Sequence, residues 1–317
     1  MSESIPDKAV IEKAHALVAP YIHRTPILTS QFLNDLSGAE LYFKCENFQK
    51  IGAFKARGGL NAVLNLSEEQ IKNGVTTHSS GNHAQSIAFA AAKVGVKAYI
   101  VMPDNSPLVK INAVKGYGAE VTFCPNTPEE RQNAVNKIVE KTGAAFVHPF
   151  NDYRVIAGQA TAAKELIEDA GVLLDALIAP VGGGGLLAGT SLSAHYFSPE
   201  TKVYAGEPEG AADAILSFKS GKVEKAPFIK TIADGLLTPL GDKNLEIILK
   251  HVTNIFTVSD EEIIAAMQLM WERMKTVVEP SGAVVLAAVL KNKEVFQSRK
   301  VGIIISGGNV DLGKLPF

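Results

Sequence analysis

Cysteine is scarce in this chain, since only Cys45 and Cys124 occur among its 317 residues. Two cysteines that lie so far apart in sequence exclude a disulfide framework and a cysteine-rich zinc site. Their small number fits a reducing compartment, and we expect a cytoplasmic protein. The N-terminal residues also lack a basic stretch followed by an apolar core, so a secretory signal is not expected.

Long apolar runs and an excess of one charge are missing as well. No uncharged hydrophobic stretch approaches the roughly 20 residues that a membrane-spanning helix needs. The formal net charge is only -2, which provides no strong field for attracting nucleic acid or an anionic membrane. We therefore expect no nucleic-acid and no membrane partner. Small molecules and further copies of the chain are the expected partners.

The overall composition is that of a well-cored globular protein. Hydrophobic residues make up 46% of the chain and charged residues 20%, which argues against disorder. A chain of 317 residues exceeds what one compact core usually holds. Two lobes are therefore expected.

Short β-rich runs alternate with longer amphipathic runs along most of the chain. Repeated strand-to-helix units predict parallel α/β sheets with right-handed connections. The strand-like runs, each followed by a helix-like run, are GVTTHSS, KAYIVMP, AEVTFC, AAFVHP, DALIAP and KVYAGEP. A further helix is predicted after Ser259, which forms a capping-box spacing with Glu262, and Pro280 is expected to mark its end.

The segment APVGGGGLLAGT places four consecutive glycines between an apolar strand and a helix. The backbone N–H groups of Gly182, Gly183, Gly184 and Gly185 can converge on an anion, and the helix N-terminus adds a favourable dipole. A phosphate-sized ligand is the preferred interpretation, although a tight turn would also use glycine. The same residues fit G-x-G-x-x-A through Ala188, so a nicotinamide-dependent dehydrogenase is an alternative.

Two other loops gather polar groups where strands end, which is where ligands of open α/β sheets bind. THSSGNHAQ brings Ser79, Ser80 and Asn82 to a helix N-terminus, a suitable place for a carboxylate or a phenolic oxygen. Ordinary N-capping would need only one serine. Near the C-terminus, Ser306 follows an apolar strand, and its hydroxyl can meet a heterocyclic nitrogen or simply belong to a turn.

Lys55 lies in GAFKARGG, next to Phe54 and shortly before Gly58 and Gly59. A single lysine is more often a solvated surface residue, but the other loops change that expectation. Together the segments supply an amine nucleophile, an anion-binding glycine turn, a carboxylate-binding loop and a hydroxyl at a strand end. A lysine that forms an imine with pyridoxal phosphate uses all four. The two glycines are then expected to allow close packing behind the lysine.

Seven motifs occur in order over nearly the whole chain: GAFKARGG, SSGNHAQ, PVGGGGLLAG, EPEGAADA, TIADGL, EPSGA and SGGNVDL. They resemble the motifs of fold-type II pyridoxal-phosphate enzymes, in the branch of serine racemase and the serine/threonine and threo-3-hydroxyaspartate dehydratases. The resemblance implies an α/β fold with two open, mostly parallel twisted sheets flanked by helices, similar to the tryptophan synthase β chain. It also implies a large cofactor-binding domain, residues 1–73 and 149–317, and a small domain, residues 74–148.

The resemblance assigns cofactor-binding roles residue by residue. Lys55 would hold pyridoxal 5'-phosphate as a Schiff base, Phe54 would lie beside the ring, and Asn82 would bond the phenolic oxygen. The four glycines 182–185 would cradle the phosphate. Ser306 would face the pyridine nitrogen, and a hydroxyl there leaves that nitrogen largely unprotonated, which favours elimination.

The same resemblance implies a substrate site beside the cofactor. Its residues are Ser79, Ser80, Gly81, Asn82, His83 and Arg131. Lys55 would remove the α-proton before the β-hydroxyl leaves, and the enamine would hydrolyse to a 2-oxo acid and ammonia. Ser80 would be a base on the opposite face, which permits racemisation, whereas Phe150 replaces a polar residue of the mammalian racemases and argues against it.

A divalent-cation site, a homodimer and a nucleotide effector are further implications of the resemblance. Glu207 and Asp213, with the carbonyl of Ala211, match the cation site, and oxygen ligands of this kind suit Mg²⁺, Mn²⁺ or Ca²⁺. Glu279 is expected to support this site from behind the ligands. No appended regulatory domain is expected.

We therefore expect a pyridoxal-phosphate-dependent lyase that dehydrates and deaminates a β-hydroxy amino acid, namely serine, threonine or threo-3-hydroxyaspartate. Racemisation is expected to accompany this activity, and a protein that is primarily a serine racemase is the alternative. The dehydrogenase and a non-catalytic amino-acid-binding module are more remote alternatives. The preferred hydroxy amino acid stays open because a few pocket contacts discriminate these substrates.

Overall fold

The computed structural model describes residues 4–106 and 108–317. Within these residues the strands are β1 (Ile27–Leu28), β2 (Glu40–Cys45), β3 (Val75–His78), β4 (Ala98–Pro103), β5 (Glu120–Cys124), β6 (Ala145–Phe146), β7 (Ala176–Pro180), β8 (Lys202–Pro208), β9 (Asn254–Val258) and β10 (Lys300–Ile305). The helices are α1 (Lys8–Val18), α2 (Gln31–Ser37), α3 (Lys55–Leu64), α4 (Glu68–Ile71), α5 (Asn82–Val94), α6 (Leu108–Gly116), α7 (Pro128–Thr142), α8 (Tyr153–Asp169), α9 (Gly185–Phe197), α10 (Asp213–Ser220), α11 (Asp242–His251), α12 (Asp260–Met274), α13 (Pro280–Lys291) and α14 (Lys293–Phe296).

The strands form two sheets. The first has six strands in the order β1-β2-β10-β7-β8-β9, and only the β1 and β2 pair is antiparallel. The second has four parallel strands in the order β5-β4-β3-β6. The predicted fold class, two mostly parallel sheets flanked by helices, is confirmed. All four strands of the second sheet lie within residues 74–148.

The predicted alternation of strands and helices follows the observed elements closely. Each of the six β-rich runs forms one of the strands β3 to β8. Strands β4, β7 and β8 are buried almost throughout, as their apolar residues predict, whereas the edge strand β5 is largely exposed. The capping box of α12 is present, with Ser259 and Glu262 bonding each other's backbone. The prediction for Pro280 was wrong: α12 ends at Met274, and Pro280 is the first residue of α13, a position that tolerates its missing N–H.

Helix α3 lies between α5 and α8, and glycines allow the close approach of all three. A Cβ on Gly59 would lie 2.0 Å from Ser86 Oγ of α5, and one on Gly58 would lie 2.2 Å from Gln159 Nε2 of α8. Gly158 faces Gly58, since a Cβ on Gly158 would be 2.6 Å from the Gly58 Cα. The expected close packing behind Lys55 is therefore present.

Replacing Gly158 with alanine is expected to lower the free energy of unfolding by about 1–3 kcal/mol. The new methyl group would meet backbone atoms of α3, which cannot rotate away. Gly116→Ala is the matched control, because its Cβ would meet open space among the described residues. Thermal unfolding of both variants checks this prediction, and equal unfolding midpoints would contradict it.

A buried ion network lies directly behind the first turn of α3. Arg57 Nε donates to Glu46 Oε2 (2.7 Å), and Arg57 Nη2 donates to Glu165 Oε2 (2.7 Å). Lys44 Nζ donates to the same Glu165 oxygen (2.7 Å). Burial alone would lower the pKa of Arg57, but the two carboxylates raise it. Because Arg57 follows Lys55 by two residues, this network fixes the start of α3.

Among the residues that the structure describes, no helix combines the length and the apolar character needed to cross a membrane.

Candidate active site

One cavity opens at the carboxyl ends of β3, β7 and β10. This position is the expected one for a ligand of parallel α/β sheets. The structure brings together in this cavity every residue that the sequence predicted for cofactor, substrate and catalysis. These are Phe54, Lys55, Ser79, Ser80, Gly81, Asn82, His83, Arg131, Gly182, Gly183, Gly184, Gly185 and Ser306.

Four helices, α3, α5, α9 and α13, begin in the wall of this cavity. Within residues 4–106 and 108–317, the N-cap residues of these four helices make no side-chain cap hydrogen bond. Helices α1, α2, α4, α7, α8 and α12 carry side-chain caps, whereas among the described residues the N-cap residues of α10, α11 and α14, outside the cavity lining, provide none. The dipoles of the four cavity helices, and the first N–H groups of α5 and α9, therefore give the cavity a positive potential. An anionic ligand fits such a site.

The glycine loop between β7 and α9 has no room for side chains. A Cβ on Gly183 would lie 2.4 Å from the Phe150 ring, and one on Gly184 would lie 2.4 Å from Leu240 Cδ1. Gly184 also has φ = 92°, in the left-handed region that side chains disfavour. The loop thus presents only backbone to the cavity, as a phosphate cradle requires.

Lys55 is the first residue of α3 and projects into the cavity. Its Nζ donates a hydrogen bond to the Pro149 carbonyl (2.9 Å) and lies 5.2 Å from the centroid of the Phe54 ring. The Ser86 hydroxyl bonds the Lys55 carbonyl (2.5 Å), which fixes the backbone. Burial lowers the pKa of the Lys55 ammonium to about 8. The amine therefore has a larger neutral fraction and is a better nucleophile than a surface lysine.

The amide of Asn82 is held in one orientation. Its Nδ2 donates to Glu279 Oε1 (2.8 Å), and its Oδ1 accepts from Asn309 Nδ2 (2.9 Å). One N–H of Asn82 remains for a ligand. Glu279 is buried, and its second oxygen has no hydrogen-bond partner in the described part of the chain. Burial, followed by the nearby charge of Asp234, raises the pKa of Glu279 to about 7.

The raised pKa of Glu279 predicts how the stability of the cofactor-free protein changes with pH. The folded protein holds the proton more tightly than the unfolded chain, so wild-type stability decreases as pH rises from about 4.5 through about 7. Relative to Glu279→Gln, the loss should be on the order of 3 kcal/mol. Unfolding midpoints measured across this pH range check it, with the exposed Glu294→Gln as the control. Parallel pH curves for wild type and Glu279→Gln would contradict it.

Arg131 reaches the cavity from α7. Its Nη2 contacts the Asn126 side chain, and its buried Nε has no hydrogen-bond partner among the described residues. Burial lowers the pKa of Arg131. Burial, followed by the charge of Arg131, also lowers the pKa of His78 to about 4, so this neighbouring imidazole is neutral. Arg131 is therefore a cation whose Nε is left without an acceptor.

The predicted metal residues lie outside the cavity lining. Glu207 accepts hydrogen bonds from the backbone N–H groups of Ala214 (2.6 Å) and Ile215 (3.0 Å), so it caps α10. Asp213 accepts from the Leu240 N–H (2.8 Å). Burial raises the pKa of Glu207 to about 8 and that of Asp213 to about 6. Buried carboxylates are oxygen donors of the kind that a divalent cation can bind.

The expected support of this site by Glu279 is wrong. Glu279 lines the active-site cavity and bonds Asn82, and no hydrogen bond among the described residues links it to Glu207 or Asp213. No group of three or more His, Cys, Asp or Glu side chains arranged for a metal occurs in residues 4–106 and 108–317. The predicted cation site, with two carboxylates and the Ala211 carbonyl, does not require such a group.

The sequence missed two charged residues of the cavity. Lys110 of α6 and Asp234 form an ion pair in its lining. Lys110 follows the exposed Leu108 and Val109 in an ordinary helix, so nothing in the sequence marks it. Asp234 lies in the motif TIADGL, which carried the family resemblance without giving this residue a role.

Comparisons with known proteins indicate the same ligand as the cavity, pyridoxal phosphate. The family described as "Pyridoxal-phosphate dependent enzyme" matches residues 18–307. A beta-hydroxyaspartate dehydratase of Paracoccus denitrificans is 50% identical, with 96% of each chain covered. An L-threo-3-hydroxyaspartate ammonia-lyase of Saccharomyces cerevisiae is 46% identical, covering 97% of this chain and 94% of the relative. The crystal structure of serine racemase from Dictyostelium discoideum superposes with a TM-score of 0.92 at 49% identity, covering 96% of this chain and 99% of that one.

The chain belongs to the pyridoxal-phosphate dependent enzymes of fold type II. The predicted family, fold class and enzyme class are confirmed, and the dehydrogenase alternative explains these findings less well. The cavity fits the cofactor, because the side-chain-free glycine loop suits a phosphate and the buried amine of Lys55 suits an aldehyde. When bound, pyridoxal phosphate supplies an electron-withdrawing group linked to the substrate amine.

Proposed function

We propose that this enzyme removes the hydroxyl and amino groups of a β-hydroxy amino acid and releases a 2-oxo acid and ammonia. The supporting observation is that the Lys55 amine and the loop 79–83, which begins α5, line the same cavity. A 3-hydroxyaspartate is our first choice of substrate, since two relatives that cover nearly the whole chain are named for hydroxyaspartate, and one of them for its L-threo isomer. Arg131, whose Nε lacks an acceptor among the described residues, suits a second carboxylate.

Each residue then has a defined task. The loop 79–83 binds the α-carboxylate at the N-terminus of α5. Lys55 Nζ takes the α-proton and returns a proton to the departing β-hydroxyl, a role that suits a buried amine whose pKa burial has lowered. Asn82 and Ser306 orient the cofactor, and the glycine loop anchors its phosphate. The released enamine hydrolyses in water.

Racemisation is the second candidate activity, and it depends on Ser80 as a base opposite Lys55. Both side chains line the cavity. Serine racemases are also relatives, including one of Dictyostelium discoideum at 49% identity. Phe150, which packs on Gly183, adds no polar group that would assist it.

We further propose the remaining implications of the resemblance for this chain. Residues 1–73 and 149–317 would form the cofactor-binding domain, and residues 74–148 the small domain. Glu207, Ala211 and Asp213 would bind a divalent cation, for which the raised pKa values of the two carboxylates give support. A homodimer, a nucleotide effector and a cytoplasmic location stay predictions.

A substrate panel tests the proposed function. L-serine, D-serine, L-threonine and both threo-3-hydroxyaspartates are assayed with and without Mg²⁺ for the 2-oxo acid and for the opposite enantiomer. The proposal requires 2-oxo acid from at least one hydroxy amino acid, with hydroxyaspartate ahead of serine. Ser80→Ala should suppress enantiomer formation more than dehydration of the L-substrate. Absence of any 2-oxo acid would exclude the dehydratase.

Thermal unfolding tests the cation site separately. Mg²⁺ at 100 times its Kd should stabilise the protein by about 2.7 kcal/mol. Asp213→Asn should remove this stabilisation, whereas Asp35→Asn, at an exposed carboxylate, should leave it unchanged. A wild-type unfolding midpoint that does not respond to Mg²⁺, Mn²⁺ or Ca²⁺ would refute the site.

A further inference from the structure

Lys110 lies in the cavity directly over the loop assigned to the substrate carboxylate. A Cβ built on Gly81 would be 3.3 Å from Lys110 Cδ and 3.4 Å from Lys110 Nζ. Only 9% of the Lys110 side chain is exposed. The ammonium is thus brought close to the N-terminus of α5, at the end of the cavity where the helix already favours an anion.

Asp234 holds this ammonium in place. The pair is the only ion pair, in the described part of the chain, that joins residues 74–148 to the remainder of the protein. The Asp234 side chain is 47% exposed, so solvent screens part of its charge. Asp234 accepts one hydrogen bond from an ammonium that has three donors. Among the described residues, Lys110 Nζ has no other hydrogen-bond partner.

We propose that Lys110 is a further substrate-binding residue, which donates a charge-assisted hydrogen bond to the substrate α-carboxylate while Asp234 holds its ammonium above Gly81. This inference rests on the proposed function, because it needs an amino acid in the cavity. An ammonium that is nearly buried, with spare donors beside an anion-binding loop, is stabilised when a carboxylate arrives. Asp234 has the complementary task of fixing the position of a flexible side chain.

The alternative role for the same pair is a latch that only ties the two sheets together. The two roles predict different effects on the binding of charged and neutral ligands. A latch acts equally on charged and neutral ligands, since it affects closure of the cavity. A carboxylate-binding lysine discriminates them, because an amide in place of the carboxylate forms a weaker, uncharged hydrogen bond.

Calorimetric titration of the holoenzyme with glycine and with glycinamide separates these roles. Glycine has an α-carboxylate but no β-hydroxyl to eliminate, and glycinamide lacks the negative charge. Lys110→Gln is expected to weaken glycine binding about tenfold and glycinamide binding by less than about twofold. Lys115→Gln, an exposed lysine on the same helix, should change neither affinity.

Asp234→Asn completes the test. It should weaken glycine binding less than Lys110→Gln, and the double variant should match Lys110→Gln. Lys110→Arg should retain most of the glycine affinity, which shows that the site still folds. Equal losses for glycine and glycinamide in Lys110→Gln would overturn the inference. A wild-type holoenzyme that binds glycinamide as tightly as glycine would also overturn the inference, whereas the proposed function is tested separately by 2-oxo acid formation in the substrate panel.

Discussion

Replacement of Lys55 by alanine is expected to lower the rate of 2-oxo acid formation by roughly 10³- to 10⁴-fold. The variant loses the amine to which we assign both the link to the cofactor and removal of the α-proton. The purified variant should also lack the absorbance band of a covalently bound cofactor. Steady-state assay and absorption spectra of protein incubated with pyridoxal phosphate measure the two effects.

Two controls distinguish loss of catalysis from loss of cofactor binding. Lys72→Ala removes an exposed lysine that pairs with Glu69, and it should leave rate and spectrum unchanged. The glycine loop of the Lys55 variant is intact, so non-covalent binding of the cofactor should persist in calorimetry. Retention of more than about a tenth of the wild-type rate would show that another group acts as the base.

Arg57→Met is expected to have the largest effect on stability. Arg57 and Glu46 are fully buried, and Glu165 is nearly so. Removal of the guanidinium would leave Glu165 bonded to Lys44 and Glu46 bonded to the uncharged Thr25 hydroxyl. Breaking a buried ion pair from one side costs about 3–5 kcal/mol. The unfolding midpoint should fall by roughly 5–8 °C, as measured by calorimetric scanning of the holoenzyme.

The same substitution at a surface ion pair is the matched control. Arg24 pairs with Glu168 and Asp169, and its side chain is 49% exposed. Arg24→Met should therefore cost no more than about 1 kcal/mol. Glu46→Gln combined with Arg57→Met should recover part of the loss, because one uncompensated carboxylate is removed. Similar midpoints for Arg57→Met and Arg24→Met would show that burial does not strengthen this network.

Most of the fold and the cofactor site could be predicted because their signals are local. Strands β3 to β8 are short apolar runs, each ended by a loop and followed by a helical period. The glycine loop was recognisable since backbone groups alone bind the ligand, so four glycines in a row suffice as a signal. Lys55 needed the other loops for its interpretation, but its motif is also contiguous.

The missed features depend on tertiary contacts. Lys110 and Asp234 are 124 residues apart, and only the folded chain brings them together in the lining of one cavity. The motif EPSGA led to the prediction that Glu279 supports the cation site. In the folded chain Glu279 instead contacts Asn82, 197 residues away in sequence. Pro280 was expected to end a helix, but whether proline ends one helix or begins the next depends on the turn before it.

The uncapped helices around the cavity also couple cofactor loading to folding. Four N-termini converge on one space that the folded chain leaves without side-chain caps within residues 4–106 and 108–317. A dianion that binds there stabilises the native state in proportion to the logarithm of its concentration. Free phosphate or sulfate in a buffer should then compete with the cofactor for the same backbone donors and mask part of the stabilisation that the cofactor provides.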